Sequence, residues 1–197
     1  MKKILLMAAV LLSTVGAFAQ HEVGSFNLQP KVGLNISDIT DVSGTNTRCG
    51  FVAGAELEYQ ATDIFSITGG VLYSMQGCKA SGYDDDEDYY ATETLKLDYI
   101  NIPILANIYV AKNFAVKFGI QPGFNINAKD KYDVGDYSYE EELDAVKSFD
   151  FSIPVGISYE FKNFQLDARY NWGLTSVGNS DSKNSVFQIT LGYKIDL

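Results

Sequence analysis

The segment 149–172 reads FDFSIPVGISYEFKNFQLDARYNW and decides the fold. It contains two runs of alternating side chains, separated by a tight turn at residues 161–163. Apolar and aromatic side chains take every second position of both runs, and small, polar or charged side chains take the positions between them. A period of two residues is that of a β-strand, so the segment predicts a β-hairpin.

The same period recurs along the chain from residue 26 to residue 197 and predicts eight strands. Their apolar stripes lie within 26–36, 51–59, 65–75, 95–110, 114–126, 149–161, 164–172 and 187–197. In the fourth strand the apolar parity changes, so we expect a β-bulge near Tyr99 and Ile100. All four prolines fall inside predicted strands, where each should mark a bulge, a rim position or an irregular ladder: Pro30, Pro103, Pro122 and Pro154.

The size of the apolar side chains indicates which face of the barrel they occupy. Eight strands enclose a space only just wide enough for side chains, and a stripe that includes Phe149, Tyr159 and Trp172 is too bulky for it. The sequence therefore predicts an all-β fold, an eight-stranded antiparallel transmembrane β-barrel with apolar side chains facing lipid and polar ones facing the lumen. The less favoured alternative is a soluble barrel that binds a small apolar ligand inside.

Short and long connections alternate along the chain. Tight turns are expected at 61–63, 111–113 and 161–163, and long polar connections at 38–49, 78–93, 127–147 and 173–184. This alternation is typical of outer-membrane barrels, with short periplasmic turns and long extracellular loops. Aromatic residues flank the turns and should form a periplasmic girdle: Tyr59, Phe65, Tyr109, Phe114, Tyr159 and Phe164.

The N-terminus has the features of a secretory signal peptide. Lys2 and Lys3 precede an apolar stretch at 4–15, and Ala17-Phe18-Ala19 supplies the small residues of a cleavage site. We expect cleavage between Ala19 and Gln20, so residues 1–19 are the signal peptide and residues 20–197 the barrel domain in a Gram-negative outer membrane. Because Gln20 is not a cysteine, a lipid anchor is not expected.

Composition excludes several classes of function. The chain has 197 residues, a length typical of one domain, and its formal net charge of −10 argues against binding of nucleic acid. One histidine and two cysteines cannot assemble a zinc cluster. His21 precedes the first strand, which is a poor position for a general base. We therefore expect no enzymatic activity, no cofactor and no metal.

Charged residues in the polar stripe are expected to fill the lumen. The candidates for this interior network are Lys31, Glu56, Glu58, Lys117, Asp150, Glu160, Asp167, Arg169 and Lys194, with Lys96 and Asp98 on the same predicted stripe. An unpaired buried charge is costly, so these groups should pair and form a plug. Arg169 is the candidate hub, because a guanidinium can bridge several carboxylates. A narrow ion path is the alternative.

The cysteines and the acidic runs are two further features of the sequence. Cys49 and Cys78 lie at the outer ends of neighbouring strands and could form a disulfide in an oxidising compartment, although their parity places them on opposite faces. Acidic runs at 84–88 and 140–142 are expected to be solvated loops. Weak binding of calcium, or of the cations that bridge lipopolysaccharide, is the alternative there.

Two blocks resemble a known family. The run LDYINIPIL at 97–105 resembles the Y-[LI]-x-[IL]-P-[LI]-L strand of small Bacteroidetes barrels, the PorT-like or outer membrane protein beta-barrel family. The block 149–174 resembles its late-strand pattern, including DARYNWGL at 167–174. The resemblance covers nearly the whole mature chain and implies a barrel of the small OmpX or OmpA type. It implies little about activity; the family's namesake is an accessory of protein secretion.

These observations predict an outer-membrane protein with a structural or surface-interaction role. The expected partners are outer-membrane lipid, lipopolysaccharide and a protein reached through the extracellular loops, and the chain is expected to be a monomer. The alternative is an accessory component of a secretion or surface-assembly machine.

Overall fold

The computed structural model of the protein describes residues 21–42, 44–84, 89–134, 137–143, 145–178 and 181–197. These contain the strands β1 (Phe26–Ile39), β2 (Thr45–Thr62), β3 (Phe65–Asp84), β4 (Tyr89–Asn101), β5 (Ile104–Ala111), β6 (Phe114–Val134), β7 (Tyr137–Glu142), β8 (Phe149–Phe161), β9 (Phe164–Ser176), β10 (Lys183–Tyr193) and β11 (Ile195–Asp196). The predicted signal peptide, the cleavage site at Ala19 and Gln20, and acidic residues 85–88 lie outside the described residues.

The strands form a closed antiparallel ring of eight. β4 and β5 are two parts of one position in the ring, because both pair with β3 on one side and with β6 on the other. β10 and β11 likewise share a position beside β1, and this pairing closes the ring. The predicted eight-stranded antiparallel fold is confirmed.

The prolines interrupt the strands and ladders, as expected. Pro103 lies between β4 and β5. Pro30 lies where the pairing of β1 passes from β10 to β11, and Pro122 where the partner of β6 passes from β5 to β4. Pro154 lies in a gap in the β6–β8 ladder. Proline has no backbone N–H to donate, so each ladder weakens at its proline.

Apolar side chains face outward and polar side chains face inward. Large apolar residues on every strand of the ring are exposed, for example Val32 at 54% and Val155 at 53%. On the opposite face Gln29, Glu56 and Asp167 are fully buried. This polarity is the inverse of that of a soluble barrel and is the polarity of a membrane barrel. Within the described ranges, no helix has the length and apolar character needed to cross a membrane.

The bulge expected in the fourth strand lies in its neighbour. Leu97, Tyr99 and Asn101 all point inward, so the pleat of β4 keeps its phase. The register shifts instead opposite Asp98 and Tyr99, where Ile126 of β6 is the extra residue. The apolar parity of β4 changes because Leu97 and Tyr99 belong to an apolar cluster inside the barrel.

The predicted long loops are mostly strand. β3 and β4 pair from Leu72 to Asp84, and β6 pairs with β7 through residues assigned to the loop 127–147. β1 and β2 are separated only by residues 40–44, and β9 and β10 by residues 177–182. Above the membrane, the outer face of the sheet contacts water and need not be apolar. These extensions therefore lack the alternating apolar stripe that marks the membrane-spanning part of each strand.

Candidate functional site

Five charged side chains meet in the middle of the lumen and form what we call the central cluster: Lys31, Glu56, Lys117, Asp167 and Arg169. Arg169 Nη2 lies 2.8 Å from Glu56 Oε1, and Arg169 Nε lies 2.8 Å from Asp167 Oδ1. Lys31 Nζ is 2.6 Å from Glu56 Oε2, and Lys117 Nζ is 2.7 Å from Asp167 Oδ2. No side chain of the cluster is more than 2% exposed. Water therefore does not surround these ions.

Inward glycines make room for the central cluster. A Cβ at Gly156 would lie 2.6 Å from Arg169 Cβ, and one at Gly70 would lie 2.6 Å from Glu56 Cγ. Side chains at these positions would displace the two groups that hold the cluster together. The small and charged residues of the polar stripe thus fill the lumen jointly.

A second group, the periplasmic cluster, lies beside the short turns and consists of His21, Glu58, Tyr109, Glu160 and Lys194. Lys194 Nζ is 3.0 Å from Glu58 Oε2 and 2.7 Å from Glu160 Oε2. His21 Nε2 lies 3.0 Å from Glu160 Oε1. The Tyr109 hydroxyl donates to Glu58 Oε1 at 2.5 Å. Each carboxylate of the cluster therefore has a cationic or hydrogen-bonding partner.

Sequence reasoning missed three members of the lumen, of which Tyr109 and Arg48 are buried and His21 is half-buried. The sequence pattern predicts Tyr109 in the periplasmic girdle, but its side chain is only 4% exposed, whereas the other five aromatic residues of the predicted girdle are exposed or half-buried. Tyr109 has the same parity in the sequence as the inward-facing Leu105 and Asn107, and this parity indicates that Tyr109 also points inward. Arg48, 5% exposed, donates to the Gln76 carbonyl and lies on the inward parity of β2. His21 precedes the strands, so no periodicity pointed to it.

Three residues predicted for the interior network lie outside the two clusters. Asp150 is buried near the extracellular end, where it accepts hydrogen bonds from Thr175 at 3.0 Å and Asn184 at 3.3 Å. Among the described residues it has no ion-pair partner. Lys96 lies outside the lumen and pairs with Glu140 of β7. Asp98 belongs to neither cluster: it is 9% exposed, has the parity opposite to that of the inward Leu97 and Tyr99, and accepts a hydrogen bond from Asn127 Nδ2 at 3.0 Å. The other eight candidates belong to the central or the periplasmic cluster.

The disulfide considered between Cys49 and Cys78 is not formed. Both cysteines are free; Cys49 is exposed, and Cys78 is buried. The two side chains point to opposite faces of the barrel wall, as their parity in the sequence indicates. Within the described ranges, no group of three or more histidine, cysteine, aspartate or glutamate residues could hold a metal ion.

Four strand segments extend beyond the rest of the barrel and form what we call the raised sheet: 77–84 of β3, 89–98 of β4, 127–134 of β6, and β7. Phe124 of β6 pairs with Phe149, the first residue of β8, and β6 then continues to Val134. At about 3.4 Å per residue this extension measures ~30 Å along the strand. Among the described strands, β7 pairs with β6 alone, so its other edge is open.

Charge pairs and aromatic contacts hold β7 against its neighbours. Glu140 forms an ion pair with Lys96, and the hydrogen bond from Lys96 lowers the pKa of Glu140. The rings of Tyr132 and Tyr139 stack with centroids 4.9 Å apart. All six residues of β7 are exposed, with Tyr137 at 84%. The raised sheet thus presents an acidic, tyrosine-bearing edge to solvent.

A family model described as "Outer membrane protein beta-barrel domain" matches residues 18–179. The chain belongs to this family. Its members are outer-membrane barrels, in agreement with the inverted polarity of the ring and the alternation of short turns and long extensions. A search of curated proteins finds no significant match.

Solved structures of other outer-membrane barrels share the fold of this family member. The attachment invasion locus protein Ail of Yersinia pestis superimposes with a TM-score of 0.50 at 12% identity, covering 88% of this chain and all of Ail. Neisserial surface protein A superimposes with a TM-score of 0.52 at 15% identity, covering 86% of this chain and 97% of that protein. At this level of identity the likeness concerns the fold alone.

Proposed function

We propose that this protein is a non-enzymatic outer-membrane barrel that presents the raised sheet to a protein partner at the cell surface. The open edge of β7 carries the proposal. An unpaired strand edge offers backbone N–H and C=O groups to which another protein can add a strand. The exposed Tyr137 and Tyr139 beside that edge are of a residue type enriched at protein interfaces.

The filled lumen supports a role in interaction rather than transport. The central cluster spans the barrel from Lys31 on β1 to Lys117 on β6, which lie opposite each other in the ring; both contact Asp167, and neither side chain is more than 2% exposed. We infer that the two clusters act as a permanent plug that supports the raised sheet. An ion path would require these pairs to separate.

Site-specific photo-cross-linking in intact cells tests the proposed surface. With a photoreactive residue at Tyr137, we expect one discrete adduct with a protein partner. The matched control places the same residue at Lys162, in the turn at the opposite end of the barrel, where we expect no adduct. Absence of an adduct from Tyr137, in protein that still shows a heat-dependent gel shift, contradicts the proposal.

A shortened hairpin tests whether the raised sheet serves binding or folding. Replacing residues 131–140 with Asn-Gly joins the paired residues Asp130 and Glu141 by a two-residue turn. We expect this variant to keep the heat-dependent gel shift of a folded barrel and to lose the partner from affinity-purified outer membranes. If the variant fails to fold, the raised sheet is structural.

The family resemblance supports a second candidate, an accessory component of a PorT-like secretion or surface-assembly machine. Such a component must contact its machine in a fixed ratio. The same experiment separates the two proposals, because a stoichiometric adduct from Lys162 in the periplasmic turn favours the accessory role. Adducts from Tyr137 alone favour the surface role.

We also propose that cleavage between Ala19 and Gln20 delivers the mature chain to the outer membrane. The position of His21 supports this, because its Nε2 and Nδ1 contact Glu160 and Asp196 at 3.0 and 3.2 Å. The residue that follows the new N-terminus would thus be held in the periplasmic cluster. Intact-mass measurement should give a chain that starts at Gln20; a chain that retains residues 1–19 contradicts the cleavage.

A further inference from the structure

A cavity of about 710 Å³ opens at the extracellular mouth of the barrel. Its walls are largely apolar and include Ile39, Leu95, Leu143, Val146 and Val177. The volume lies within the ~300–1,000 Å³ typical of sites for small molecules. The cavity lies apart from the open edge of β7 on which the proposed function rests.

An apolar layer separates this cavity from the charged lumen. Ile39, Cys78, Leu97, Tyr99 and Val177 pack into one buried cluster across the barrel. Leu97 and Tyr99 are 0% and 1% exposed and pack behind the three other members of this cluster, which line the cavity. A ligand in the cavity therefore contacts apolar side chains below it and does not reach the ion pairs of the central cluster.

The cavity also contains an incompletely paired carboxylate. Asp130 lines it and is 8% exposed; its Oδ2 accepts from the Tyr132 hydroxyl at 2.9 Å. When Glu93 is ionised, the buried Oδ1 of Asp130 receives no hydrogen bond from any donor of the described residues. Glu93 lines the same wall, and its hydrogen bonding with Asp130 raises the pKa of Glu93. A buried carboxylate without a donor is costly, and a cation or a donor relieves that cost.

The charged groups around the cavity give it a negative electrostatic potential. Asp38, Asp130 and Glu93 all disfavour ionisation of the Cys78 thiol, and Arg48 opposes them. Together with burial, which is the larger cause, they raise the pKa of that thiol to about 11. The walls thus combine apolar contact with a net attraction for positive charge.

We propose that the cavity binds an apolar ligand with one positively charged end, such as an alkylamine or a peptide terminus of that character. The charged group contacts Asp130 Oδ1, and the apolar part packs against Ile39, Leu95 and Val177. A ligand with a carboxylate in place of the amine is repelled by Asp130 and Glu93. The site takes its ligand by contact alone, with no covalent step.

Protection of Cys78 tests the proposal, because this cysteine lines the cavity. In a Cys49→Ser variant, Cys78 is the remaining thiol and can be labelled with N-ethylmaleimide. We expect octylammonium to slow labelling about tenfold at concentrations where octanoate has little effect, since the chains match and only the charge differs. Equal protection by the two compounds, or protection by neither, overturns the proposal.

Two variants locate the effect. Asp130→Asn should abolish protection by octylammonium, whereas Asp133→Asn, which removes a half-buried carboxylate that pairs with Lys131 and does not line the cavity, should preserve it. Both variants must keep the heat-dependent gel shift. If Cys78 proves unreactive, calorimetric titration of octylammonium and octanoate into the protein in nanodiscs, corrected for empty nanodiscs, makes the same comparison; binding of octanoate as tight as that of octylammonium overturns the proposal there.

Discussion

The barrel reverses its polarity along its axis. In the lower part, ions such as Glu56 and Arg169 lie inside and apolar residues such as Val32 lie outside. In the upper part, Leu97 and Val177 lie inside, and exposed charged residues such as Glu140 lie outside. One continuous β-sheet builds both parts, so the medium around the sheet, lipid below and water above, selects which face is apolar.

The largest expected effect comes from a substitution that disrupts the ion pairs in the lower part of the lumen. Arg169→Ala removes the group that joins Glu56 to Asp167, and removal of one partner of a buried ion pair costs about 3–5 kcal/mol of unfolding free energy. Urea unfolding in detergent should show this loss. The control, Lys112→Ala, removes an exposed charge in a turn and should change little. Equal stability of Arg169→Ala and the wild type would show that the cluster does not hold the barrel.

The next effect concerns the upper interior. Leu97→Ala opens a cavity in the apolar cluster and should cost about 3 kcal/mol. The matched control, Val71→Ala, shortens a side chain that is 54% exposed on the lower outer face, so it should cost far less. Urea unfolding compares the two variants. Equal losses would mean that the upper cluster is not a packed core.

The third prediction compares substitutions at two exposed positions, one that faces lipid and one that faces water. Val32 is 54% exposed and Tyr139 58% exposed, the first on the lower outer face and the second on the raised sheet. Val32→Arg should cost about 2–4 kcal/mol, because it places a charge in lipid, whereas Tyr139→Arg should be nearly neutral. Unfolding in lipid vesicles measures both. A neutral Val32→Arg would contradict a membrane-facing position.

The smallest effect concerns the attachment of β7. Because Lys96 lowers the pKa of Glu140, the pair stabilises β7 fully above the ordinary carboxyl pKa of ~4.3. This contribution is lost as the pH falls through the lowered pKa. Hydrogen exchange should therefore show weaker protection of β7 at acidic pH than at neutral pH. Lys96→Met, the control, should show weak protection at both; unchanged protection in the wild type contradicts the expectation.

The sequence predicts the lower barrel well and the upper barrel poorly. Lipid imposes a strict period of two on residues such as Phe149 and Trp172, so the number, polarity and approximate bounds of the strands follow from it. Above the lipid this constraint ends. At Leu97 the apolar side chains occupy the inward positions, and the strands continue through segments that the sequence predicts to be loops. For the same reason, the bulge that the sequence predicts in the fourth strand lies in β6.

Individual contacts in the lumen are less predictable than its polarity. The ring of pairings brings together residues far apart in sequence, such as Arg169 and Glu56, and their partnership depends on the register of every strand between them. Asp150 shares the parity of the network but lies too near the outer end to join it. Tyr109 has an aromatic side chain, which pointed to the girdle, although its parity is inward.

The composition of the plug has an electrostatic consequence. The central and periplasmic clusters contain four cationic side chains, Lys31, Lys117, Arg169 and Lys194, and four carboxylates, Glu56, Glu58, Glu160 and Asp167. With His21 neutral, their formal charge is zero. A Donnan potential across the outer membrane acts on net charge, so it exerts no net pull on these residues. The plug can therefore keep its position while the ionic composition of the periplasm changes.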